Sequence, residues 1–267
     1  MKKTTIIAVL VAAIGMLSQP LATASALGVT IDQPTSQWTP SGSVKVMFAD
    51  KYLASCGAVF YNRPVMQVDI FVSVKNGLYL DLWNSTPINL SLWDKNFGTE
   101  QDISVGWAGK LSKLGVSGWP GSLTLDTGVN FWDEPSIGTF GKDDILNEYI
   151  KVTKDFEWVS VSAKFECAEV MPNSIYGGGQ MYTLEVSKSK SFFNDMVLAG
   201  LSADAMYDSG RFGAGNGFIV GGSGYLQWKL YKGFALILPQ VNLTEPINTR
   251  DSRKFSSAVS GGLKWRF

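Results

Sequence analysis

Side chains that alternate apolar and polar with a period of two, from about residue 43 to the last residue, constrain this chain more than any other feature. A strand turns successive side chains to opposite faces, whereas an amphipathic helix repeats its apolar residues three and four apart. Val44, Val46 and Phe48 alternate with Lys45, Met47 and Ala49, and Val68, Ile70, Val72 and Val74 with Gln67, Asp69, Phe71 and Ser73. Leu78, Leu80 and Leu82 do so with Tyr79, Asp81 and Trp83, and Val159, Val161, Ala163 and Phe165 with Ser160, Ser162 and Lys164. Helical spacing is scarce. Runs of this kind predict about twelve strands, at 43–52, 64–74, 77–84, 101–109, 121–132, 145–153, 157–167, 178–188, 195–208, 217–231, 233–244 and 255–267.

The N-terminus says where such strands go. Lys2 and Lys3 precede an apolar run from Ile6 to Leu17, and Ala24-Ser25-Ala26 supplies a small-x-small cleavage site. That run is shorter than the roughly 20 apolar residues that span a bilayer. Residues 1–26 are expected to be a cleaved secretory signal, 27–42 an N-terminal periplasmic segment, and 43–267 the folded body. Loss of the two lysines leaves the exported chain slightly acidic. Without a helical span, such a chain can still sit in a membrane as a closed barrel, because closure satisfies every backbone hydrogen bond. The expected fold is therefore all-β, a closed antiparallel transmembrane β-barrel of about 12 strands.

The connections fit that reading. An even strand count keeps both termini on the periplasmic side, with short turns there and longer loops outside. Lys75-Asn76-Gly77, Lys154-Asp155-Phe156 and Tyr231-Lys232-Gly233 are short, and 85–100, 133–144, 168–177 and 245–254 are longer. The segment 110–120 is longer than a periplasmic turn should be. In the last strand Phe255, Ser257, Val259, Gly261, Leu263, Trp265 and Phe267 alternate with Ser256, Ala258, Ser260, Gly262, Lys264 and Arg266. A final amphipathic strand ending in Phe resembles the terminal strand of outer-membrane proteins. Trp265 and Phe267 would then form a C-terminal signal read by the barrel-assembly machinery.

Residues 43–84 carry a closer likeness. Ser43-Val44, Asp50-Lys51-Tyr52, Pro64-Val65-Met66-Gln67, Asn76-Gly77-Leu78-Tyr79 and Leu82-Trp83 resemble the first hairpins of TorF-like outer-membrane porins of Gram-negative bacteria. The chain departs from that family after the tyrosine, where Leu53-Ala54-Ser55-Cys56-Gly57 replaces an Arg-Gly. The resemblance implies an outer-membrane barrel with a transport role and assigns no functional residue.

If the apolar faces meet lipid, the polar faces line the lumen. Its candidate lining residues are Lys45, Asp69, Asp81, Asp102, Asp126, Lys151, Lys164, Glu185, Asp204, Lys229, Lys264 and Arg266. A Lys or Arg at the bilayer midplane costs roughly 2–4 kcal/mol, which drives such groups inward. Gln240 and Asn242 share the parity of apolar Phe234, Leu236 and Leu238, so either Pro239 marks a bulge or the strand has left the lipid by then. Cys56 and Cys167, the only two cysteines, fall at outer strand ends or loops in an oxidising compartment and are a candidate disulfide.

Composition narrows function. The chain contains no histidine, so it lacks Ser-His and Cys-His dyads and His-ligated metals. Its 23 basic and 23 acidic residues give no basic excess, and a nucleic-acid partner is not expected. The glycine-rich runs at 177–179, 213–217 and 221–224 lack the following Lys-Ser/Thr helix of a phosphate loop. No catalytic residue, cofactor or metal is expected. The function expected is a small porin-like passive channel for small polar solutes or ions, in the outer membrane of a Gram-negative bacterium. The alternatives are a non-conducting structural or adhesive barrel, or a soluble periplasmic all-β binding protein.

Overall fold

The computed structural model describes residues 39–267 except 55–56, 89–99, 134–143, 171–177, 211–214 and 249–252. The expected signal peptide and most of the expected periplasmic segment lie outside the described residues. The strands are β1 (Pro40–Ala49), β2 (Tyr52–Leu53), β3 (Val59–Tyr61), β4 (Val65–Val74), β5 (Leu78–Pro87), β6 (Glu100–Lys110) and β7 (Thr124–Asp133). They continue as β8 (Ile145–Asp155), β9 (Ser160–Val170), β10 (Gly179–Phe192), β11 (Val197–Asp208), β12 (Gly217–Lys229), β13 (Phe234–Pro246) and β14 (Ser256–Arg266).

Twelve of these form a closed barrel in which each strand pairs with its sequence neighbour. The ring closes where β1 runs antiparallel to β14, with Val44 opposite Trp265 and Met47 opposite Gly262. Closure leaves no unpaired edge, so the period-two pattern has one inner and one outer face throughout. The short pair β2–β3 stands apart as its own two-stranded sheet. It lies where the sequence predicts only a loop.

The connections at one end are tight. Gly77 takes φ +103° in the first, where the Asn76 side chain accepts a hydrogen bond from the Leu78 N–H at 3.0 Å. The overlong segment after β6 shortens itself by coiling into two helical turns, Leu111–Leu114 and Gly118–Gly121. Backbone bonds from Val116 N to Leu111 O and from Leu123 N to Pro120 O hold them, at 3.2 and 3.1 Å. The register of β13 slips between Ile237 and Gln240 against β14. A bulge at 238–239 is therefore the answer for this strand. It keeps Leu236 and Leu238 outward and turns Gln240 and Asn242 inward with Ile237.

The outer face is an apolar band bounded by aromatics. Leu201, Leu184, Leu263, Leu238 and Phe48 are all at least half exposed on it. At one end Phe165, Tyr182, Tyr207 and Phe218 form a chain of ring contacts at 5.1, 6.5 and 5.0 Å. At the other, Phe234, Trp265 and Phe267 stack at 5.9 and 5.1 Å. Along β10 the two ends are marked by Tyr182 and Phe192. Ten residues of strand span about 33 Å, which at the usual barrel tilt is a band height of about 25 Å. Lys188 and Lys190 emerge on this face near Phe192, their ammonium groups lying 5.3 Å from the Trp158 ring centre and 5.5 Å from that of Phe192. Their alkyl stems can cover apolar surface while the charges reach water.

Candidate functional site

The alternation places all twelve candidate lining residues on the inner face, and the register sorts them by sign. Lys45 stands opposite Asp69 on one side and Lys264 on the other. The Lys45–Asp69 ion pair is 2.8 Å long. Lys264 in turn faces Ala235, which faces Lys229, and Arg266 lies opposite Ser43. A basic sector thus covers β12, β14 and β1. Asp69, Asp81, Asp102 and Asp126 form an acidic sector over β4–β7. Lys151 and Lys164 oppose each other on β8 and β9, and Glu185 and Asp204 do so on β10 and β11. Going round the ring in strand order, the sign alternates by quadrant, and the two basic sectors face each other across the lumen.

Inside the β4–β9 wall, three rows of inward side chains run across neighbouring strands. The first is Phe71, Asp81, Ser104, Asn130 and Asn147. The second is Tyr79, Gly106, Gly128, Tyr149 and Glu166, and the third Ala108, Asp126, Lys151 and Lys164. The two glycines are required by close approach. A Cβ on Gly106 would lie 2.5 Å from the Tyr79 hydroxyl, and one on Gly128 2.9 Å from that of Tyr149. The tyrosines therefore fold over the glycines from both sides, and both donate to Asp126 Oδ1, at 2.7 and 3.4 Å. Lys164 lies 2.9 Å from Glu166 Oε1 and 5.0 Å from the Tyr149 ring centre. These rows line a cavity of about 350 Å³. It shares Lys151, Lys164 and Glu166 with a second cavity, of about 460 Å³, on the β8–β13 side.

The loop between β1 and β4 crosses the lumen above these cavities. Its root is fixed to β14, where Asp50 N donates to Val259 O and Asp50 Oδ1 accepts from Val259 N, at 3.0 and 2.9 Å. The Tyr52 hydroxyl then reaches Glu100 Oε2 on β6 at 2.7 Å, and its ring packs on Phe60 and on Trp83 of β5. The hairpin tip turns at Gly57 with φ +79°, where an added Cβ would lie 3.4 Å from Ile219 on β12 and 3.5 Å from Thr244 on β13. In strand order β6 and β12–β13 are nearly opposite walls. Leu53 and Ala54 join the lining of the larger cavity. Around this loop the inward residues at the strand ends are close-packed: Val65, Ser85, Glu100, Ile145, Asp208 and Ile219 are at most 2% exposed. Arg253 braces the same end, pairing with Asp208 Oδ2 at 2.8 Å and donating to the Gly215 carbonyl.

Several of these residues were not among the sequence candidates. Glu166 and Asn147 carry the inward parity of Lys151 and Lys164, so alternation alone could have named them. Tyr52 could not be found that way, because its role depends on a loop folding back. Cys167 forms no disulfide with any described residue. It sits opposite Glu148 and Gln180, with the parity of outward Phe165. Cys56 lies outside the described residues, and its neighbours Ala54 and Gly57 lie within the barrel.

No family model matches the sequence, and no curated protein matches it. Solved structures that the chain matches include an outer-membrane channel of Pseudomonas putida F1, at TM-score 0.46 and 9% identity over 85% of this chain and 96% of that one. The outer-membrane channel DcaP of Acinetobacter baumannii matches at TM-score 0.41 and 11% identity, over 85% and 96%. The β domain of the Bordetella autotransporter BrkA matches at 0.42 and 13%, over 85% and 99%. The architecture itself rests on the strand pairing of this chain.

Proposed function

We propose that this chain is an outer-membrane barrel of a Gram-negative bacterium that passes small polar solutes or ions passively through a narrow lumen. The observation that carries this reading is the pairing of opposites on one closed sheet: an apolar outer band of about 25 Å between aromatic belts, and an inner face with charges of both signs. Such a surface is stable only where its outside meets hydrocarbon and its inside meets water. The resemblance of residues 43–84 to TorF-like porins and the Trp265–Phe267 terminus point the same way. Lipid, the barrel-assembly machinery during biogenesis and the transported solute are the partners this reading calls for, reached after export by residues 1–26.

Purified protein, shown folded by heat-modifiable gel migration, is expected to give small discrete conductance steps in planar bilayers. The loop across the outer end favours a second reading, a barrel closed to solutes; a folded but silent protein would select it. The membrane assignment has its own test. Leu201 on the outer band is 71% exposed, and Leu201→Arg is expected to cost roughly 2–4 kcal/mol of folding stability in lipid vesicles. Urea titration of folding would show this as a lower midpoint, and an unchanged midpoint would mean that this face does not meet hydrocarbon.

A further inference from the structure

On the described barrel strands, charged residues of outward parity are sorted by end. Asp133, Glu148, Glu169 and Glu245 lie at the loop end, on the same strand faces as Val129, Ile150, Phe165 and Leu243. Lys154, Lys188 and Lys190 lie at the tight-turn end, on the faces of Val152 and Val186. The three lysines gather on one side of the ring. Lys154 stands opposite Val161 of β9, and Val161 opposite Val186, which precedes Lys188 by one outward position. Each ammonium group lies near an aromatic ring: Lys154 is 5.8 Å from the centre of Trp119, Lys188 5.3 Å from Trp158 and Lys190 5.5 Å from Phe192. Lys154 also donates to Ser122 Oγ. Among the described residues none of the three makes an ion pair. Asp155, beside Lys154, has inward parity and accepts from Ser160 Oγ at 2.6 Å, and Glu157 and Asp195 lie in the adjoining turns.

A lysine at the edge of an apolar band lays its stem on that band and sends its charge to headgroup level. There a phosphate meets it, and a headgroup with net negative charge meets it without a competing cation. Lys188 and Lys190 stand about 7 Å apart on one strand face, so their flexible stems can bring both ammonium groups to one phosphate. The outer surface next to them is made of small residues. Ala203 stands opposite Gly222 and Ala205 opposite Val220. Ala163, Leu184 and Ala205 line an apolar hollow of about 530 Å³ that ends at Tyr182 and Phe218. Ala205 is four residues along β11 from Leu201, the partner of Lys188, and that is about 13 Å, half the height of the apolar band. A chain tethered to a phosphate at Lys188 reaches this hollow within one leaflet. We propose that Lys188 and Lys190, with Lys154 across β9, form a binding site for the phosphate of an anionic phospholipid, whose acyl chain lies over the small residues of β9–β12. The site rests on the outer band meeting hydrocarbon and does not require an open lumen.

The test uses the full exported chain folded in an uncharged maltoside detergent. Dioleoyl phosphatidylglycerol and dioleoyl phosphatidylcholine are the probes, alike in their chains and different in net charge. Native mass spectrometry reads the lipid that stays bound. A lysine at headgroup level favours an anionic lipid by about fivefold, so the wild type is expected to hold phosphatidylglycerol at least about tenfold more tightly than phosphatidylcholine. Lys188→Gln combined with Lys190→Gln, both at exposed positions, is expected to bring the two lipids within about threefold of each other. Lys75→Gln combined with Lys110→Gln removes the same charge on the β4–β6 side of the ring and is expected to leave the preference intact. Equal retention of both lipids by the wild type, an undiminished preference in the folded Lys188→Gln/Lys190→Gln protein, or an equal loss in the Lys75→Gln/Lys110→Gln protein would each overturn the assignment. So would dimers in place of lipid-bound monomers, since a second copy would then cover the small residues. Heat-modifiable migration in the same detergent reads the barrel independently, so a folded protein without lipid preference removes this site and leaves the membrane reading standing.

Discussion

Replacing residues 51–62 by a short Gly-Ser linker is expected to raise single-channel conductance by roughly twofold or more, because a twelve-stranded barrel is narrow and this loop spans it. Conductance of a pore is set by its tightest section. In the proposed pore that section is the packed outer end, where Tyr52 is 6% exposed and an added Cβ at Gly57 of the loop tip would meet Ile219 and Thr244. The lumen beneath is roomier, with cavities of about 460 and 350 Å³. Tyr52→Phe is the milder variant. It removes the hydroxyl that donates to Glu100 at 2.7 Å. A bond to a charged acceptor contributes about 1.5–3 kcal/mol, so its loss should loosen the loop and appear as current noise with little change in mean conductance. A linker variant that folds and conducts like the wild type would show that the loop is not the constriction.

Gly262→Val is expected to block barrel closure. Gly262 lies on the inner face of β14, opposite Met47 of β1. A Cβ there would strike the Val46 carbonyl and come within 2.8 Å of Met47 Cα. These are backbone atoms of the strand that closes the ring, and they cannot retreat without breaking the β1–β14 ladder. Overpacking against movable side chains costs about 1–3 kcal/mol, and against a fixed ladder the cost exceeds that range. The variant should lose the heat-modifiable band that marks a folded barrel. Gly224→Ala is the matched control, since its nearest neighbour is the end of the Leu201 side chain at 3.0 Å. A Gly262→Val protein with wild-type migration and urea midpoint would refute the clash.

Much of this architecture could be read without coordinates. Lys45, Asp69 and Asp81 follow from parity alone, because a strand with one apolar face must turn its other face away from it. The bulge near Pro239 was one of two options open in the sequence, and the register of β13 against β14 selects it. Glu166 and Asn147 share the inward parity of Lys164 and Lys151 and were equally legible. The inward hairpin was not legible. Tyr52-Leu53 and Val59–Tyr61 are too short to show a period, and their pairing is fixed by the walls they touch.

The sequence by itself determined the twelve strands, the two faces and the closed sheet they demand, because alternation is local and each strand declares its own sides. Only the tertiary structure decided which inward residues meet. The opposition of Lys45 to Lys264 across residues far apart in the chain is a matter of register at the closing seam. The folding of two tyrosines over Gly106 and Gly128 toward a single carboxylate is likewise a matter of pairing between strands. A face is set by neighbours in sequence, whereas a site is set by neighbours in space.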